Sequence, residues 1–449
     1  MSLMISVSGI RGIFGSGLTP ENLVGFTAAY GTWLNGGTVV LGRDSRTTGE
    51  LCERIVTATL QSVGCDVIQL GIVPTPTVAM AVHKHKAQGG IVISASHNPA
   101  QWNALKLLNG KSEFLDASQG EEVLKIADEK AFKFVSHDKI GQVSTDPGIL
   151  SWHINKILEL PYIDREVIAN ANLSVAIDAV NGAGSYAVPQ LLDELGVKTV
   201  HKLFCIPDGN FPHNPEPLPK HLEDICNEVK EKGADIGFVT DPDADRLAVV
   251  DEKGDLFGEE YTLAAVLDFY LAKYKGPVCV NLSSSRISED IAKKYGLPCF
   301  RSAVGEINVV TKMKEEGCVM GGEGNGGVIN PDLHYGRDAL VGIAMILQFF
   351  AEEKITASAY RKSLPEYIIS KNKIELHTGI APDKVLEDIK RHYQNEKIST
   401  VDGVKIDFEH GWVHLRKSNT EPIIRIYSEA NTAKEANKMA NEIIRICNS

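Results

Sequence analysis

A β-strand that runs into a polar turn and then a helix occurs three times along this chain, each time followed by two further strands. The third strand of each unit ends in an unusual loop, and the three loops read SASHNP, TDPDADR and GGEGNGG. Alternating strands and helices are typical of α/β layers, in which ligands bind beyond the carboxyl ends of the strands. The sequence therefore predicts three related α/β domains with mixed, largely parallel sheets around a central cleft. Their predicted strands are 38–41, 66–70 and 91–93, then 175–177, 197–204 and 236–239, then 278–280, 299–303 and 319–320.

The last part of the chain has a different pattern. Apolar and polar residues alternate over 404–408, and two further strands are predicted at 412–415 and 423–427. A final helix is predicted to begin at a capping box formed by Thr432 and Glu435. This pattern predicts a smaller C-terminal α+β domain. The four domains are predicted to comprise residues 1–150, 151–252, 253–368 and 369–449.

The composition indicates a globular protein that does not bind nucleic acid over a broad surface. The 449 residues are 43% apolar and 23% charged, with a formal net charge of −12. A broad nucleic-acid interface needs a basic face, which this charge disfavours. An acidic protein can still bind a phosphorylated small molecule if a few arginines converge on one cleft.

No segment predicts export or insertion into a membrane. Residues 1–12 lack the basic and apolar pattern of a signal peptide. The longest strongly apolar stretch, 339–351, is too short to cross a bilayer and predicts a buried helix. The eight cysteines are scattered singly without a CxxC pair, which indicates reduced core thiols. We therefore expect a cytoplasmic protein, a monomer or a homodimer, without membrane partners.

The loop 240–246 carries three carboxylates at alternate positions, Asp241, Asp243 and Asp245. Unpaired carboxylates in a tight loop repel one another, and a divalent cation removes that repulsion. Carboxylate oxygens without histidine or cysteine favour Mg²⁺ or Ca²⁺ over zinc. An EF-hand is disfavoured because Arg246 stands where that loop needs glycine, and because strands are predicted on both sides. The remaining alternative is a solvated acidic turn.

The loop 94–99 carries a serine at a strand-to-loop corner, Ser96, where a hydroxyl can act as a nucleophile. Ser96 and His97 are adjacent in sequence, so their side chains are expected to diverge and to form no serine–histidine dyad by themselves. The chain also has no GxSxG elbow at this position, which disfavours an acyl hydrolase. Beside a metal-binding loop, a serine that carries a phosphoryl group is favoured over a capped turn, because a cation can neutralise charge on the transferred group.

Four motifs together resemble those of one superfamily. SASHNP, DPDADR, GGEGNGG and RKSNTEP occur in this order, one in each predicted domain. They are similar to the four signature loops of the α-D-phosphohexomutases, which include phosphoglucomutases, phosphomannomutases and phosphoglucosamine mutases. The resemblance covers the whole chain, and the third loop is most similar to that of archaeal-type phosphoglucosamine mutases. It implies three related α/β domains and a C-terminal domain that resembles TATA-box-binding protein.

The resemblance also implies an activity and the residues that perform it. The chain would interconvert hexose 6-phosphates and 1-phosphates through a phosphoserine and a hexose 1,6-bisphosphate, which would also serve as activator. Ser96 would carry the phosphoryl group, and one Mg²⁺ per chain would bind Ser96, Asp241, Asp243 and Asp245. Electrostatic and acid/base roles would belong to Arg11, His97, Lys106 and Arg246. The sugar and its non-reacting phosphate would be bound by Glu323, Asn325, Arg416, Ser418, Asn419, Thr420 and Arg425.

One departure from the family pattern concerns the general base. Many members carry a serine and then a histidine in the third loop, where this chain has Asn325 and Gly327. Lys106, His97 or Arg11 would then have to take the proton.

Several readings compete with the one that the resemblance favours. We expect a phosphoglucosamine mutase, and the alternative is a phosphoglucomutase or phosphomannomutase of broad specificity. A non-catalytic sugar-phosphate-binding regulator and a phosphatase are the alternatives from other classes. Arg416 could also form an ordinary surface salt bridge.

Overall fold

The computed structural model describes residues 3–6, 9–375, 382–417 and 423–447. The chain forms two compact units. The first comprises Met1–Phe269 and Asn325–Arg361, and the second comprises Tyr270–Gly324 and Lys362–Ser449.

The strands of the described residues follow in chain order. They are β1 (Met4–Ser6), β2 (Gly9–Ile13), β3 (Gly37–Arg43), β4 (Cys65–Ile72), β5 (Gly89–Ile93), β6 (Trp102–Asn109), β7 (Val143–Thr145), β8 (Ser174–Asp178), β9 (Thr199–Leu203), β10 (Ile236–Thr240), β11 (Leu247–Asp251), β12 (Val278–Asn281), β13 (Cys299–Ser302), β14 (Met320–Glu323), β15 (Gly327–Ile329), β16 (Ile368–Glu375), β17 (Lys397–Ser399), β18 (Val404–Phe408), β19 (Gly411–Lys417) and β20 (Ile423–Ala430).

The α-helices of the same residues connect these strands. They are α1 (Pro20–Leu34), α2 (Gly49–Ser62), α3 (Thr75–His85), α4 (Ala117–Asp128), α5 (Ile149–Leu158), α6 (Arg165–Ala171), α7 (Gly184–Glu194), α8 (Glu223–Lys232), α9 (Glu259–Lys273), α10 (Ile287–Lys294), α11 (Glu306–Glu316), α12 (Ala339–Glu353), α13 (Ala357–Ser363), α14 (Pro382–His392) and α15 (Ala433–Cys447).

The predicted threefold repeat is confirmed by the order of the strands. In each repeat the first strand lies between the second and the third and is parallel to both, as β4-β3-β5, β9-β8-β10 and β13-β12-β14. In the first two repeats an antiparallel strand follows beside the third one, β6 beside β5 and β11 beside β10. The first sheet is larger than the pattern predicted, because β2 and β1 extend it beyond β6, and β7 extends it beyond β4.

The central strands of the first sheet are buried on both faces. Successive side chains of a strand point to opposite faces, so Val39 and Leu41 of β3 belong to one apolar cluster and Val40 to another. Ile93 and Val92 of β5 divide between the same two clusters. This burial explains why these strands appear as short apolar runs without alternation.

The C-terminal domain is a five-stranded antiparallel sheet in the order β16-β20-β19-β18-β17. Its apolar core joins alternate residues of β18 and β19 to the apolar faces of α14 and α15. Thr432 caps α15, because its Oγ1 accepts a hydrogen bond from the Glu435 N–H at 3.2 Å. The prediction of a smaller α+β domain is therefore confirmed.

Two further predictions concern single segments. The apolar stretch 339–351 is a buried helix, as expected, since every residue of it is buried in α12. Among the described residues we find no helix that is long and apolar enough to cross a membrane. The eight cysteines are all unpaired, and four of them are only partly buried rather than in the core, namely Cys205, Cys226, Cys299 and Cys447.

The glycine-rich motif of the third repeat differs from its prediction as a loop. Its first three residues, Gly321, Gly322 and Glu323, are the end of β14. The carboxylate of Glu323 is buried at this strand end, where its Oε1 accepts hydrogen bonds from Asn281 Nδ2 at 2.9 Å and from the Gly305 N–H at 3.2 Å. A Cβ atom on Gly321 would lie 2.7 Å from the backbone oxygen of Cys279 in the neighbouring strand β12, so this glycine permits close strand packing.

Candidate active site

The three aspartates of the acidic loop converge in the first unit. The loop connects the antiparallel strands β10 and β11, and Asp241, Asp243 and Asp245 are fully buried in it. One carboxylate oxygen from each lies within 4.8 Å of the others. Oδ1 of Asp241 accepts the N–H groups of Asp245 and Arg246, both at 3.2 Å. The backbone of the loop is therefore folded around the first carboxylate.

Partners are distributed unevenly over these carboxylates. Oδ2 of Asp243 accepts from Lys106 Nζ and from Thr75 Oγ1, both at 2.5 Å. Oδ2 of Asp245 accepts from Arg337 Nη2 at 2.6 Å. Their Oδ1 atoms are buried and accept no hydrogen bond from any residue that the structure describes. Buried oxygens without a donor are costly, so these two atoms are suited to bind a cation.

The pKa values reflect the same crowding of negative charge. Burial, together with Asp245 and Asp243, raises the pKa of Asp241 well above its ordinary value. Burial also acts to raise the pKa of Asp243, but the charge and hydrogen bond of Lys106 outweigh it and lower that pKa. Two orphaned oxygens, three carboxylates and no thiol or imidazole ligand suit a hard divalent cation such as Mg²⁺. The residues present therefore fit the metal that the sequence predicted, whereas the flanking strands exclude an EF-hand.

Ser96 lies against this acidic centre. Its Oγ donates a hydrogen bond to Asp241 Oδ2 at 2.7 Å, and the residue is buried. The Ser96 N–H is held by Ser94 Oγ at 2.9 Å. The backbone of Ser96 has a φ of 49°, in the left-handed region that residues other than glycine rarely adopt. Such a conformation at a buried loop serine marks a site held in place by its surroundings.

The expectation that the side chains of Ser96 and His97 diverge was wrong. Ser96 Oγ and His97 Nδ1 are 3.3 Å apart. The positive φ of Ser96 is the reason, because it turns the chain so that the two neighbouring side chains lie on the same side. Burial, and then the positive charges of Arg246, Arg11 and Arg337, lower the pKa of His97 to about 2, so its imidazole is neutral.

The predicted cationic residues lie around the same centre. Lys106 on β6 and Arg11 on the adjacent β2 both project from the first sheet, and Arg11 Nη1 donates to Asn98 Oδ1 at 2.7 Å. Burial lowers the pKa of Arg11, although the carboxylate of Asp243 opposes this shift. The Nε of Arg246 is buried without a hydrogen-bond partner among the described residues. The structure thus brings all five predicted catalytic residues together with the three aspartates, namely Ser96, His97, Lys106, Arg11 and Arg246.

Sequence reasoning missed the residue that holds the serine loop in place. Arg46 is fully buried and forms a salt bridge with Asp44, Nε to Oδ2, at 2.9 Å. Its two terminal nitrogens donate to four backbone carbonyls of the serine loop and the strand after it, those of Ser96, Asn98, Pro99 and Trp102. The signal was available in GRDSR, because charged residues directly after a buried strand must find partners. Thr75 and Arg337 were missed as well.

The residues predicted to bind the sugar and its distal phosphate are distributed differently. Asn325 is in the first unit, where its Oδ1 accepts the Gly327 N–H at 3.2 Å. Glu323, Arg416 and Arg425 are in the second unit. Ser418, Asn419 and Thr420 lie outside the described residues.

The two arginines face each other across neighbouring strands. Arg416 of β19 is directly opposite Arg425 of β20. Arg416 also pairs with Asp402 at 3.6 Å, as the salt-bridge alternative expected. Like charges opposite each other on two strands are destabilising, and an anion bound between them would offset the repulsion.

Next to these arginines, His414 of β19 is held in one tautomer. Its Nε2 lies 2.6 Å from the carbonyl oxygen of Asp402 and must donate to it, so Nδ1 accepts from Ser283 Oγ at 2.9 Å. Burial lowers the pKa of His414 to about 4. The unfolded chain therefore takes up this proton at a higher pH than the folded chain.

We expect the second unit to lose stability as the pH falls from about 6.5 towards 4 through this histidine, by roughly 3 kcal/mol at most. Above about 6.5 the stability is fully present, because His414 is neutral in both states. Urea unfolding of the wild-type protein and of His414→Gln between pH 7 and pH 5 measures the difference. Parallel losses of stability in both proteins would contradict this assignment.

The fold and this centre define a class of protein. Three α/β domains of one strand order, a C-terminal α+β domain and a buried serine beside three carboxylates are features of an α-D-phosphohexomutase. The phosphoglucomutase/phosphomannomutase family models match most of the chain in four parts: α/β/α domain I at 3–134, domain II at 152–254, domain III at 259–367 and the C-terminal domain at 377–446. The chain belongs to the phosphoglucomutase/phosphomannomutase family.

Individual relatives agree with this placement. A probable phosphoglucosamine mutase of Methanopyrus kandleri is 34% identical, over 99% of this chain and 98% of the relative. A phosphoglucomutase/phosphomannomutase of Thermococcus kodakarensis is 37% identical, over 97% of this chain and 96% of the relative. The crystal structure of a phosphoglucomutase/phosphomannomutase family protein from Burkholderia thailandensis superimposes with a TM-score of 0.85 at 25% identity, covering 99% and 97% of the two chains.

Proposed function

We propose that this protein is a phosphohexomutase that interconverts hexose 6-phosphates and hexose 1-phosphates with a phosphoserine at Ser96. One observation carries the proposal. The Ser96 hydroxyl lies 2.7 Å from Asp241 Oδ2, in a buried centre where two further carboxylate oxygens have no donor among the described residues. A nucleophilic oxygen beside an unsatisfied acidic centre is suited to phosphoryl transfer rather than to packing.

The chain's own residues have distinct tasks in this proposal. The phosphoryl group leaves Ser96 Oγ as its P–O bond breaks, and a new P–O bond forms to a sugar hydroxyl. The proton of that hydroxyl needs an acceptor with a free lone pair. The neutral imidazole of His97 has one, whereas Lys106 or Arg11 could take the proton only in an unprotonated form, in which it would supply no positive charge. Positive charge around the transferred group comes from Arg11, Lys106 and Arg246. The return step transfers the other phosphoryl group of the 1,6-bisphosphate back to Ser96.

Asp241, Asp243 and Asp245, with an oxygen of the phosphoserine, would hold one Mg²⁺. When bound, the cation supplies charge that offsets the negative charge developing on the phosphoryl oxygens. Lys106 and Thr75 hold Oδ2 of Asp243, and Arg337 holds Oδ2 of Asp245. The Oδ1 atoms of both aspartates have no hydrogen-bond partner among the described residues and are therefore available to a cation.

The substrate must bind in two orientations, so the protein also needs a second site that binds the non-reacting phosphate group. We assign it to Arg416 and Arg425, together with Ser418, Asn419 and Thr420. The repulsion between Arg416 and Arg425 on adjacent strands supports this role. Glu323 and Asn325 are assigned to the sugar hydroxyls.

The preferred sugar is proposed to be glucosamine phosphate, with broad glucose and mannose phosphate activity as the alternative. The relatives support both, because one is named a probable phosphoglucosamine mutase and the other a phosphoglucomutase/phosphomannomutase. Selection between an amine and a hydroxyl at one carbon depends on a few contacts. A monomer or homodimer in the cytoplasm, without nucleic-acid or membrane partners, stays a prediction.

A rate panel tests the activity. Glucosamine, glucose, mannose and N-acetylglucosamine 6-phosphates are each incubated with the full chain, Mg²⁺ and a trace of the hexose 1,6-bisphosphate, and the 1-phosphates are measured. We expect turnover with the highest kcat/KM for glucosamine 6-phosphate, and loss of turnover when EDTA removes the cation.

The same panel separates the alternatives. Release of inorganic phosphate at the rate of substrate loss would indicate a phosphatase. Binding without any turnover would indicate a sugar-phosphate-binding regulator, and the mutase proposal would then be wrong. Phosphorylation of Ser96, seen by intact mass, argues against the regulator because a pure binder needs no nucleophile.

A further inference from the structure

Arg337 contacts the acidic centre from a part of the sequence that none of the four motifs includes. It lies between β15 and α12, two residues before the first residue of α12, and forms an isolated antiparallel bridge with Ile329 of β15. Its Nη2 donates to Asp245 Oδ2 at 2.6 Å, and only about a tenth of its side chain (11%) is exposed. Arg337 is therefore a built-in neighbour of a candidate metal ligand.

The backbone beside Arg337 is fixed by the next residue. Asp338 caps α12, because its Oδ1 accepts the Leu340 N–H at 2.8 Å. Its Oδ2 is 2.9 Å from His153 Nε2 and 3.2 Å from His334 Nε2, and all three residues are buried. A buried carboxylate with this many partners leaves little freedom for the backbone that carries the guanidinium.

Gly327 provides the space that the Arg337 side chain fills. A Cβ atom placed on Gly327 would lie 2.3 Å from Cδ and 2.9 Å from Cγ of Arg337. Gly327 lies in β15 and does not have a positive φ, so its backbone conformation does not require glycine. Steric room for Arg337 is therefore the reason that the structure gives for a glycine at this position.

We propose that Arg337 is a positioning residue of the metal centre and that Gly327, by lacking a side chain, leaves the space that Arg337 occupies. By holding Oδ2 of Asp245, Arg337 fixes the orientation of that carboxylate, whose Oδ1 has no hydrogen-bond partner among the described residues. Lys106 and Thr75 hold Asp243 by the same atom, Oδ2. Partners of this kind orient metal ligands, and their loss typically lowers metal affinity about 10- to 100-fold.

The proposal rests on the cation site of the proposed function, and a double-mutant cycle tests it. Binding of Mn²⁺ to the full chain is measured by electron paramagnetic resonance for the wild-type protein, Gly327→Ala, Arg337→Ala and the double variant. Gly327→Ala keeps every charged residue, and its Cβ would lie closest to the Arg337 side chain, with Asn325 Oδ1 next at 3.0 Å. The Arg337→Ala background separates the displacement of Arg337 from any effect on Asn325. We expect Gly327→Ala to weaken Mn²⁺ binding about tenfold in the wild-type background and less than twofold in the Arg337→Ala background.

Controls keep the test decisive. Gly25→Ala is the matched glycine control, since a Cβ at Gly25 meets no atom within 4 Å, and its Mn²⁺ affinity should equal that of the wild type. If Arg337→Ala does not fold, as judged by its melting temperature, Arg337→Ser is the second background that lacks Cδ. If Gly327→Ala lowers the Mn²⁺ affinity equally in both backgrounds, or in neither, the positioning role of Arg337 is wrong, while the proposed function is unaffected. Absence of Mn²⁺ binding to the wild-type protein would overturn the proposed function together with this inference.

Discussion

Replacing Ser96 by alanine is expected to lower kcat by about 10⁴- to 10⁶-fold, the range found when a nucleophile is removed from an enzyme. The other hydroxyl that the structure places at the acidic centre, Thr75 Oγ1, is not the nucleophile of the proposed mechanism, because it donates its hydrogen bond to Asp243 Oδ2. Intact mass should show no phosphorylated form of the Ser96→Ala protein after incubation with the hexose 1,6-bisphosphate.

The fold should survive this substitution. The Oγ of Ser96 makes one short hydrogen bond, to Asp241 Oδ2, and the backbone N–H of residue 96 keeps its partner at Ser94. Alanine tolerates a positive φ about as well as serine does. Loss of one buried hydrogen bond costs about 1–3 kcal/mol, which a protein of this size can absorb.

Ser94→Ala is the matched control for the loop. Ser94 Oγ donates to Asp44 Oδ2 at 2.7 Å and accepts the Ser96 N–H, so it shapes the loop without carrying the phosphoryl group. We expect a rate loss of about 10- to 100-fold with phosphorylation of Ser96 retained. A Ser96→Ala protein with more than a tenth of the wild-type rate would contradict the phosphoserine assignment.

The sequence predicted the loops of this site whose positions depend only on the order of strands in the repeated pattern. SASHNP and TDPDADR each follow a third strand of the repeated pattern, and the carboxyl ends of such strands carry the ligand-binding loops. The sequence also showed the three alternating aspartates, and it predicted a bound cation because carboxylates so close together repel one another unless a positive charge lies between them. The structure places Ser96 and Asp241 in contact, as this reasoning required.

The parts that the sequence did not predict depend on backbone geometry and on distant contacts. No local pattern showed the positive φ of Ser96, so the approach of His97 was missed. Arg337 reaches Asp245 across 92 positions of sequence, and only the fold brings them together. Arg46 is a similar case, because four of the five hydrogen bonds of its guanidinium go to backbone carbonyls, which carry no sequence signal.

Arg46→Met is expected to lower the free energy of unfolding by about 3–5 kcal/mol, the usual consequence of removing one partner of a buried ion pair. Asp44 would be left buried without its counter-charge, and burial already acts to raise the pKa of Asp44 against the effect of Arg46. The four carbonyls of the serine loop and of the strand after it would lose their hydrogen bonds from Arg46 at the same time. We also expect kcat to fall about 10- to 1000-fold, because the backbone of Ser96 loses its anchor.

Urea unfolding and mutase rates measure both effects, with Arg54→Met as the control. Arg54 pairs with Glu50 on the surface of α2 and is 72% exposed, so its loss should cost less than about 1 kcal/mol and leave the rate unchanged. Equal stability of Arg46→Met and Arg54→Met would contradict the anchoring role. The double variant Asp44→Asn with Arg46→Met separates the two contributions of the guanidinium. It should recover only part of the lost stability, because it removes the uncompensated charge but does not restore the guanidinium N–H donors to the four carbonyls.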